Sequence, residues 1–174
     1  SLTREDDRAD LSPYAISLTN DQHVSPKHEW VRSAGQWEHA VQAYLASTAF
    51  ADHCLGKVLD ALDASPHREN TIVVLFADHG FHLGEKQRWA KRSLWEDGTR
   101  VPLIFVAPGQ KKKQVSHRPA QLLDIYPTLL ELAGLPRDQL QQGHSLVPLI
   151  QNPEADWPHV ALSSFGKEIG RAHV

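Results

Sequence analysis

The sequence predicts an α/β fold, a portion of a mostly parallel sheet flanked by helices and left incomplete by these 174 residues. Three observations carry that expectation. Helical periodicity begins at Gln36 and runs for many turns. Two unalternated apolar stretches, residues 72–77 and 101–107, follow it, and a polar turn, Asp78-His79-Gly80, leaves the first of them directly. Strands too apolar to show one wet face, alternating with helices, are the pattern of a sheet covered on both sides.

Along the chain, residues 1–34 show no sustained period and contain Pro13 and Pro26, so they read as an irregular lead-in with short helical pieces. From Gln36 onward, Val41, Tyr44, Leu45, Thr48, Ala51, Leu55, Val58, Leu59 and Leu62 recur at three- and four-residue steps and define one helix face. Ser65-Pro66 ends that helix, because a proline ring disfavours helical geometry in the residue before it. Asp52 and His53 lie near its apolar border and read as structural polar groups, while Cys54 reads as a small buried residue. Asn70-Thr71 introduces the first strand. Pro102 stands at the start of the second, where a missing N–H is tolerated, and Pro108-Gly109 closes it. Residues 122–134 read as a helix with Pro127 in its first turn and Gly134 as its C-terminal cap. Gly143-His144-Ser145-Leu146 then leads into a short apolar stretch ending at Ile150.

Composition narrows the function. With 41% hydrophobic and 22% charged residues the chain suits one globular domain or part of a larger one. A net charge of -3 with 11 His is not the basic balance of a nucleic-acid binder, and the run Lys111-Lys112-Lys113 reads as a solvated turn. No stretch approaches the roughly 18 apolar residues of a membrane span, and Ser1 to Asp10 is too polar for a signal peptide. A single cysteine excludes an internal disulfide and a cysteine-only zinc cage. There is no methionine, so the chain reads as a fragment at both ends. Residues 35–167 are expected to form its body, and 168–174 resemble translated sequencing-adapter read-through that belongs outside the fold.

The chemistry concentrates in Asp78-His79-Gly80-Phe81-His82-Leu83-Gly84-Glu85. Ligands of open α/β sheets bind beyond the carboxyl ends of the strands, where Asp78 and His79 stand. A carboxylate next to an imidazole can help hold a divalent cation; oxygen-rich sites favour calcium or magnesium and imidazole-rich ones zinc, and two ligands do not choose between them. Gly80 and Gly84 let the loop fold tightly. Lys91, thirteen positions after Asp78, brings an ammonium suited to offset an anionic sulfuryl or phosphoryl group.

The order Asn70-Thr71-Ile72-Val73-Val74, Ala77-Asp78-His79-Gly80, Leu83-Gly84-Glu85, Trp89-Ala90-Lys91, Arg100-Val101-Pro102-Leu103 and Pro108-Gly109 resembles the sulfatase family, closest to its iduronate-2-sulfatase-like bacterial members. Flanking blocks agree: Tyr44-Leu45-Ala46-Ser47, Gly56-Lys57-Val58-Leu59, Asp124-Ile125-Tyr126-Pro127-Thr128-Leu129 and Gly143-His144-Ser145-Leu146, so the resemblance covers residues 35–166 in consistent order. It implies an alkaline-phosphatase-like fold, sulfate-ester hydrolysis, one Ca2+ ion, sulfated carbohydrate or other sulfate-ester substrates, and export to a periplasmic, extracellular or lysosomal-type compartment. By the same resemblance Asp78 and His79 match calcium ligands, Lys91 matches the lysine that binds the substrate's sulfate, and Phe81 and Arg92 fall where substrate recognition is shaped. Asp124 and Pro127-Thr128 match helix architecture.

The departures are as informative. The family's nucleophile is a formylglycine made from the first residue of C-x-P-x-R or S-x-P-x-R. Cys54 is followed by Leu55-Gly56-Lys57-Val58, and Ala64-Ser65-Pro66-His67-Arg68 has alanine at the nucleophile position, so neither qualifies. The nucleophile and a first aspartate pair of metal ligands are therefore expected upstream, and the isolated chain is expected to be inactive. His23, His28, His53, His67 and His82 belong to no defensible motif and read as surface or structural groups. Two other readings stay open: a phosphodiesterase or phosphonate hydrolase of the same superfamily, and a truncated domain that binds without catalysis.

Overall fold

The computed structural model describes residues 7–20, 26–110, 112–137, 140–165 and 168–173. His23 and Lys111 lie outside the described residues; Lys112 and Lys113 are exposed. The chain forms two compact units, each drawn from separated segments: residues 1–66 with 79–100, and residues 67–78 with 101–174. No described helix is long and apolar enough to cross a membrane.

In the first unit the lead-in contains two short helices, α1 (Pro13–Asn20) and α2 (His28–Ser33). Pro13 opens α1, where its missing N–H costs nothing, and Ser12 Oγ accepts the Ala15 N–H at 3.2 Å as a cap. Gly35, at φ 63°, turns the chain out of α2 and into α3 (Trp37–Asp63). The long helix matches the sequence periodicity and stops two residues short of Pro66. Its first residue is an anchor: the Trp37 indole N–H donates to the Leu83 carbonyl at 2.7 Å. His28 meets the Trp37 ring edge-on at 4.5 Å, and the buried Trp89 donates its indole N–H to His28 Nδ1 at 3.1 Å.

Beyond the turns that face Phe81 and Trp89, α3 is mostly exposed. None of its residues is buried, and Phe50 and Val58 are largely exposed. This corrects the expectation for Cys54, which is exposed, as are Asp52 and His53. The amphipathic pattern placed an apolar face, of which Tyr44 meets Phe81 while Phe50 and Val58 stay largely exposed.

The second unit holds the strand pair β1 (Val73–Phe76) and, much later in the chain, β4 (Leu103–Val106). Between them, in the first unit, lie the short strands β2 (His82–Leu83) and β3 (Trp89–Ala90) and the helical turn α4 (Glu96–Thr99). The α/β class stands, with two corrections. The strands β1 and β4 pair antiparallel, Val73 opposite Val106 through Phe76 opposite Leu103, where a parallel relation was expected. A largely parallel sheet accommodates an antiparallel member when the connection brings the chain back in reverse. Nor are these strands buried on both faces: Leu75, Phe76, Ile104 and Val106 remain exposed, because two strands cannot cover their own faces. Pro102 precedes β4 as expected. Gly109, at φ 77°, follows Pro108 in a turn closed by the Gln110 N–H on the Ala107 carbonyl at 3.1 Å.

The rest of this unit is organised by Asp124, nearly fully buried. Its carboxylate accepts the Gln121 N–H at 3.0 Å and the His144 N–H at 2.8 Å, tying the start of α5 (Ile125–Leu132) to a segment twenty residues later. Thr128, also buried, donates to the Asp124 carbonyl at 2.5 Å and accepts the Leu146 N–H at 2.8 Å. The helix ends as the sequence anticipates. Gly134 sits at φ 67°, its N–H reaches the Glu131 carbonyl, and the Leu135 N–H reaches Leu130, a Schellman cap. The short helix α6 (Val147–Gln151) buries Val147 and Leu149 beside Leu146. β5 (Ala161–Phe165) and β6 (Glu168–His173) pair antiparallel at the end.

Candidate functional site

Asp78 ends the segment that contains β1 and is exposed; His79 opens the segment 79–100 and is half-buried. Of the residues singled out from sequence, His79 and Lys91 are brought into direct contact, Lys91 Nζ lying 2.8 Å from His79 Nε2. The other ring nitrogen, Nδ1, lies 2.8 Å from the Gly80 carbonyl oxygen. A carbonyl only accepts and an ammonium only donates, so these contacts assign the proton to Nδ1 and leave the Nε2 lone pair facing Lys91. A backbone carbonyl that fixes the tautomer through one ring nitrogen is the arrangement found behind metal-ligating histidines.

Asp78 and His79 offer one carboxylate and one imidazole. Among the described residues no group of three or more His, Cys, Asp or Glu converges to hold a metal ion. Calcium takes about 6–8 oxygen ligands, so this pair fits as part of a cation site and not as the whole of one.

The loop is built to hold its shape. Gly80 donates its N–H to the Gly98 carbonyl at 2.9 Å, and a Cβ on Gly80 would run into the Asp97 carbonyl. Gly84, at φ 116°, lies against the Trp37 indole, where a Cβ would come within 2.5 Å of the ring. Glu85 accepts the Leu83 N–H at 2.5 Å. Lys86 donates from its backbone and its ammonium to Asp7 at 2.6 and 2.7 Å. The Arg88 guanidinium, buried, donates to the Leu18 carbonyl at 2.5 Å and the Arg92 carbonyl at 2.9 Å.

Four non-glycine residues take left-handed backbone here: Lys86, Gln87, Ala90 and Arg92, at φ 53°, 57°, 64° and 69°. Such conformations persist only where the surroundings over-determine them, and they gather at functional sites. Ala90 and Arg92 flank Lys91, so the lysine is carried out on a bend while its neighbours are held. Nothing in the residue types announces this, since none is Gly or Asn. Arg92 itself is exposed, and its carbonyl is the part that is tied. Phe81 stacks on Tyr44 with ring centroids 5.2 Å apart, and both line an open apolar groove of about 340 Å³ that also includes Ala90.

Sequence reasoning left His82 without a role. Its ring is fully buried, with Nε2 2.6 Å from Ser93 Oγ, and burial pushes its pKa below the ordinary histidine range despite the opposing carboxylate of Asp97. His28 is lowered too, by burial first and then by Arg32 and Arg8. His53 and His67 are exposed.

Comparison with known proteins fits this arrangement. The sulfatase family model matches residues 6–135, and the chain belongs to that family. It is 43% identical over 94% of its length to a sulfatase of Formosa agariphila, and 32% identical over 88% to a Delta 4,5-hexuronate-2-O-sulfatase of Bacteroides thetaiotaomicron. It spans about a third of each, 32% and 34%. Among solved structures, one bound to its substrate D-glucosamine-2-N,6-O-disulfate superposes with a TM-score of 0.72 at 28% identity, covering 89% of this chain and 32% of that one. A phosphonate monoester hydrolase from Silicibacter pomeroyi superposes at 0.60 with 31% identity, covering 64% of this chain and 22% of that one. The fold is therefore the alkaline-phosphatase-like α/β fold of sulfatases.

Proposed function

We propose that this chain is the C-terminal portion of the catalytic domain of a sulfate-ester hydrolase, residues 35–167 forming its body, and that it contributes part of the metal site and the sulfate-binding lysine. The observation that carries the reading is the 2.8 Å contact between Lys91 Nζ and His79 Nε2 beside Asp78. It puts a cationic head against a histidine that follows Asp78 directly in the chain, and an anionic ester at a cation site calls for such a group.

In this reading Asp78 and His79 hold a calcium ion together with an aspartate pair from elsewhere in the protein. When bound, that ion polarises the sulfate and offsets its charge. Lys91 binds the sulfate oxygens; Phe81 and Arg92 contact the remainder of the substrate. A formylglycine outside these residues supplies the nucleophile. The names of the relatives favour a sulfated carbohydrate as substrate, and with it an exported protein, in a periplasm, outside the cell or in a lysosome-type compartment.

The test is turnover by the full-length protein encoded by the gene, on p-nitrophenyl sulfate and on sulfated disaccharides. Turnover lost in Lys91→Ala supports the reading. Turnover of phosphonate monoesters in preference to sulfates replaces it with the second reading, which the phosphonate monoester hydrolase likeness favours. No turnover on either leaves a binding domain.

A further inference from the structure

His82 occupies a position from which it reaches both ends of the bend that carries Lys91. Its backbone pairs with Ala90 in the β2–β3 ladder. Its ring Nε2 lies 2.6 Å from the hydroxyl of Ser93. Between those two residues stand only Lys91 and Arg92, and the left-handed backbone at Ala90 and Arg92 makes the bend. One buried side chain thus joins the start of the bend through the main chain and its end through the imidazole.

We propose that His82 is the positioning residue for Lys91, closing the bend from Ala90 to Ser93 so that the ammonium is held at a bound sulfuryl group. The proposal rests on the sulfate-ester reading of the site. Four observations support the clamp. Left-handed backbone at two non-glycine residues needs such a constraint to persist. A Cβ on Gly98 would lie 2.5 Å from Ser93 Oγ and 3.5 Å from His82 Nε2, so only glycine leaves room for hydroxyl and ring to meet. Arg88 adds a second tie, donating to the Arg92 carbonyl at 2.9 Å. Asp97 Oδ2, 4.0 Å from His82 Nδ1, favours the proton on Nδ1 and leaves Nε2 to accept the Ser93 O–H.

Serine, histidine and aspartate in this order also invite comparison with a nucleophilic triad. The geometry speaks against it. The histidine–carboxylate distance of 4.0 Å is too long for a hydrogen bond, and the imidazole has no exposed surface through which to pass a proton to a substrate.

The experiment uses the full-length protein with Ser93→Ala, His82→Leu and His82→Gln, the last keeping an acceptor where Nε2 lies. The readouts are kcat and KM on p-nitrophenyl sulfate and the rate of native-state tryptic cleavage after Lys91. We expect kcat/KM to fall about tenfold in Ser93→Ala and His82→Leu and to recover in His82→Gln, with cleavage after Lys91 accelerated in the first two at unchanged Tm. Ser93→Ala removes only a hydroxyl and reads the clamp even where His82→Leu disturbs packing. Wild-type kcat/KM and cleavage in Ser93→Ala overturn the proposal. A wild-type protein without sulfatase turnover overturns the functional reading instead. Cleavage then decides the clamp alone, acceleration in Ser93→Ala supporting it and an unchanged rate ending it.

Discussion

Lys91 Nζ and His79 Nε2 stand 2.8 Å apart, and the proton of that imidazole lies on its opposite nitrogen, facing the Gly80 carbonyl. The ring thus turns its lone pair towards an ammonium, and an anion can compete for the ammonium as a cation can for the lone pair. Removing the ammonium leaves the fold intact, because Lys91 is exposed, while on the sulfate-ester reading it takes away the positive charge offered to the substrate. In the full-length protein, Lys91→Ala is expected to lower kcat/KM on aryl sulfates by about a hundredfold to a thousandfold with Tm unchanged. Lys91→Arg is not expected to restore it, since a planar fork does not replace a point charge on this bend.

Asp78 and His79 predict a cation-dependent melt. Calcium binding to the native state alone stabilises it by about 2.7 kcal/mol at a hundred times the dissociation constant. Calorimetry of the full-length protein with calcium and with chelator should show Tm falling on chelation. Asp78→Asn and His79→Gln should each shrink that difference. A melt indifferent to chelator in the wild type would count against the pair as ligands.

The glycines of the loop give a stability prediction with an internal control. Gly80→Ala drives a methyl into the Asp97 carbonyl, so a loss of about 1–3 kcal/mol is expected. Gly56→Ala lies on α3 with nothing near its Cβ position and should stabilise by about 1 kcal/mol through helix propensity. Urea midpoints of the two variants should move in opposite directions.

Acid should weaken the fold through His82 and His28, both lowered from 6.5 chiefly by burial. A histidine with a depressed native pKa binds its proton more readily when unfolded. Stability is therefore complete above the unfolded value near 6.5, declines as pH falls below it, and levels off only beneath the native pKa. Denaturation midpoints between about pH 8 and pH 5 should fall on acidification, and His82→Gln should flatten the slope.

The 174 residues alone are expected to hydrolyse no sulfate ester, because they contain neither C-x-P-x-R nor S-x-P-x-R. Turnover of p-nitrophenyl sulfate by the isolated chain, abolished by Lys91→Ala, would sink that expectation. A broad melt is expected as well, given the exposed apolar faces of α3 and of the β1–β4 pair.

Much of the framework was readable in residue order. The periodicity from Val41 to Leu62, the runs around β1 and β4, and Gly134 as a cap all correspond to observed elements, because local spacing and backbone restriction dictate them. Burial was not readable. Cys54 and Phe76 look like core residues, and only the neighbours decide whether they are. Strand direction was equally hidden, since an apolar run has no polarity of pairing. At the candidate site, motif order singled out Asp78, His79 and Lys91, but the groups that support them were not legible. His82 and Ser93 are eleven residues apart and ordinary in type, and Ala90 and Arg92 carry no hint of left-handed backbone.

The chain leaves the second unit after Asp78 and returns to it at Val101, so residues 79–100 stand in the sequence between two strands that pair with each other. Doubling a loop's length costs only about 0.6 kcal/mol in closure entropy. Closure entropy therefore sets little limit on how many residues stand between β1 and β4, and what restricts residues 79–100 is their own packing, as at Gly80 and Gly84.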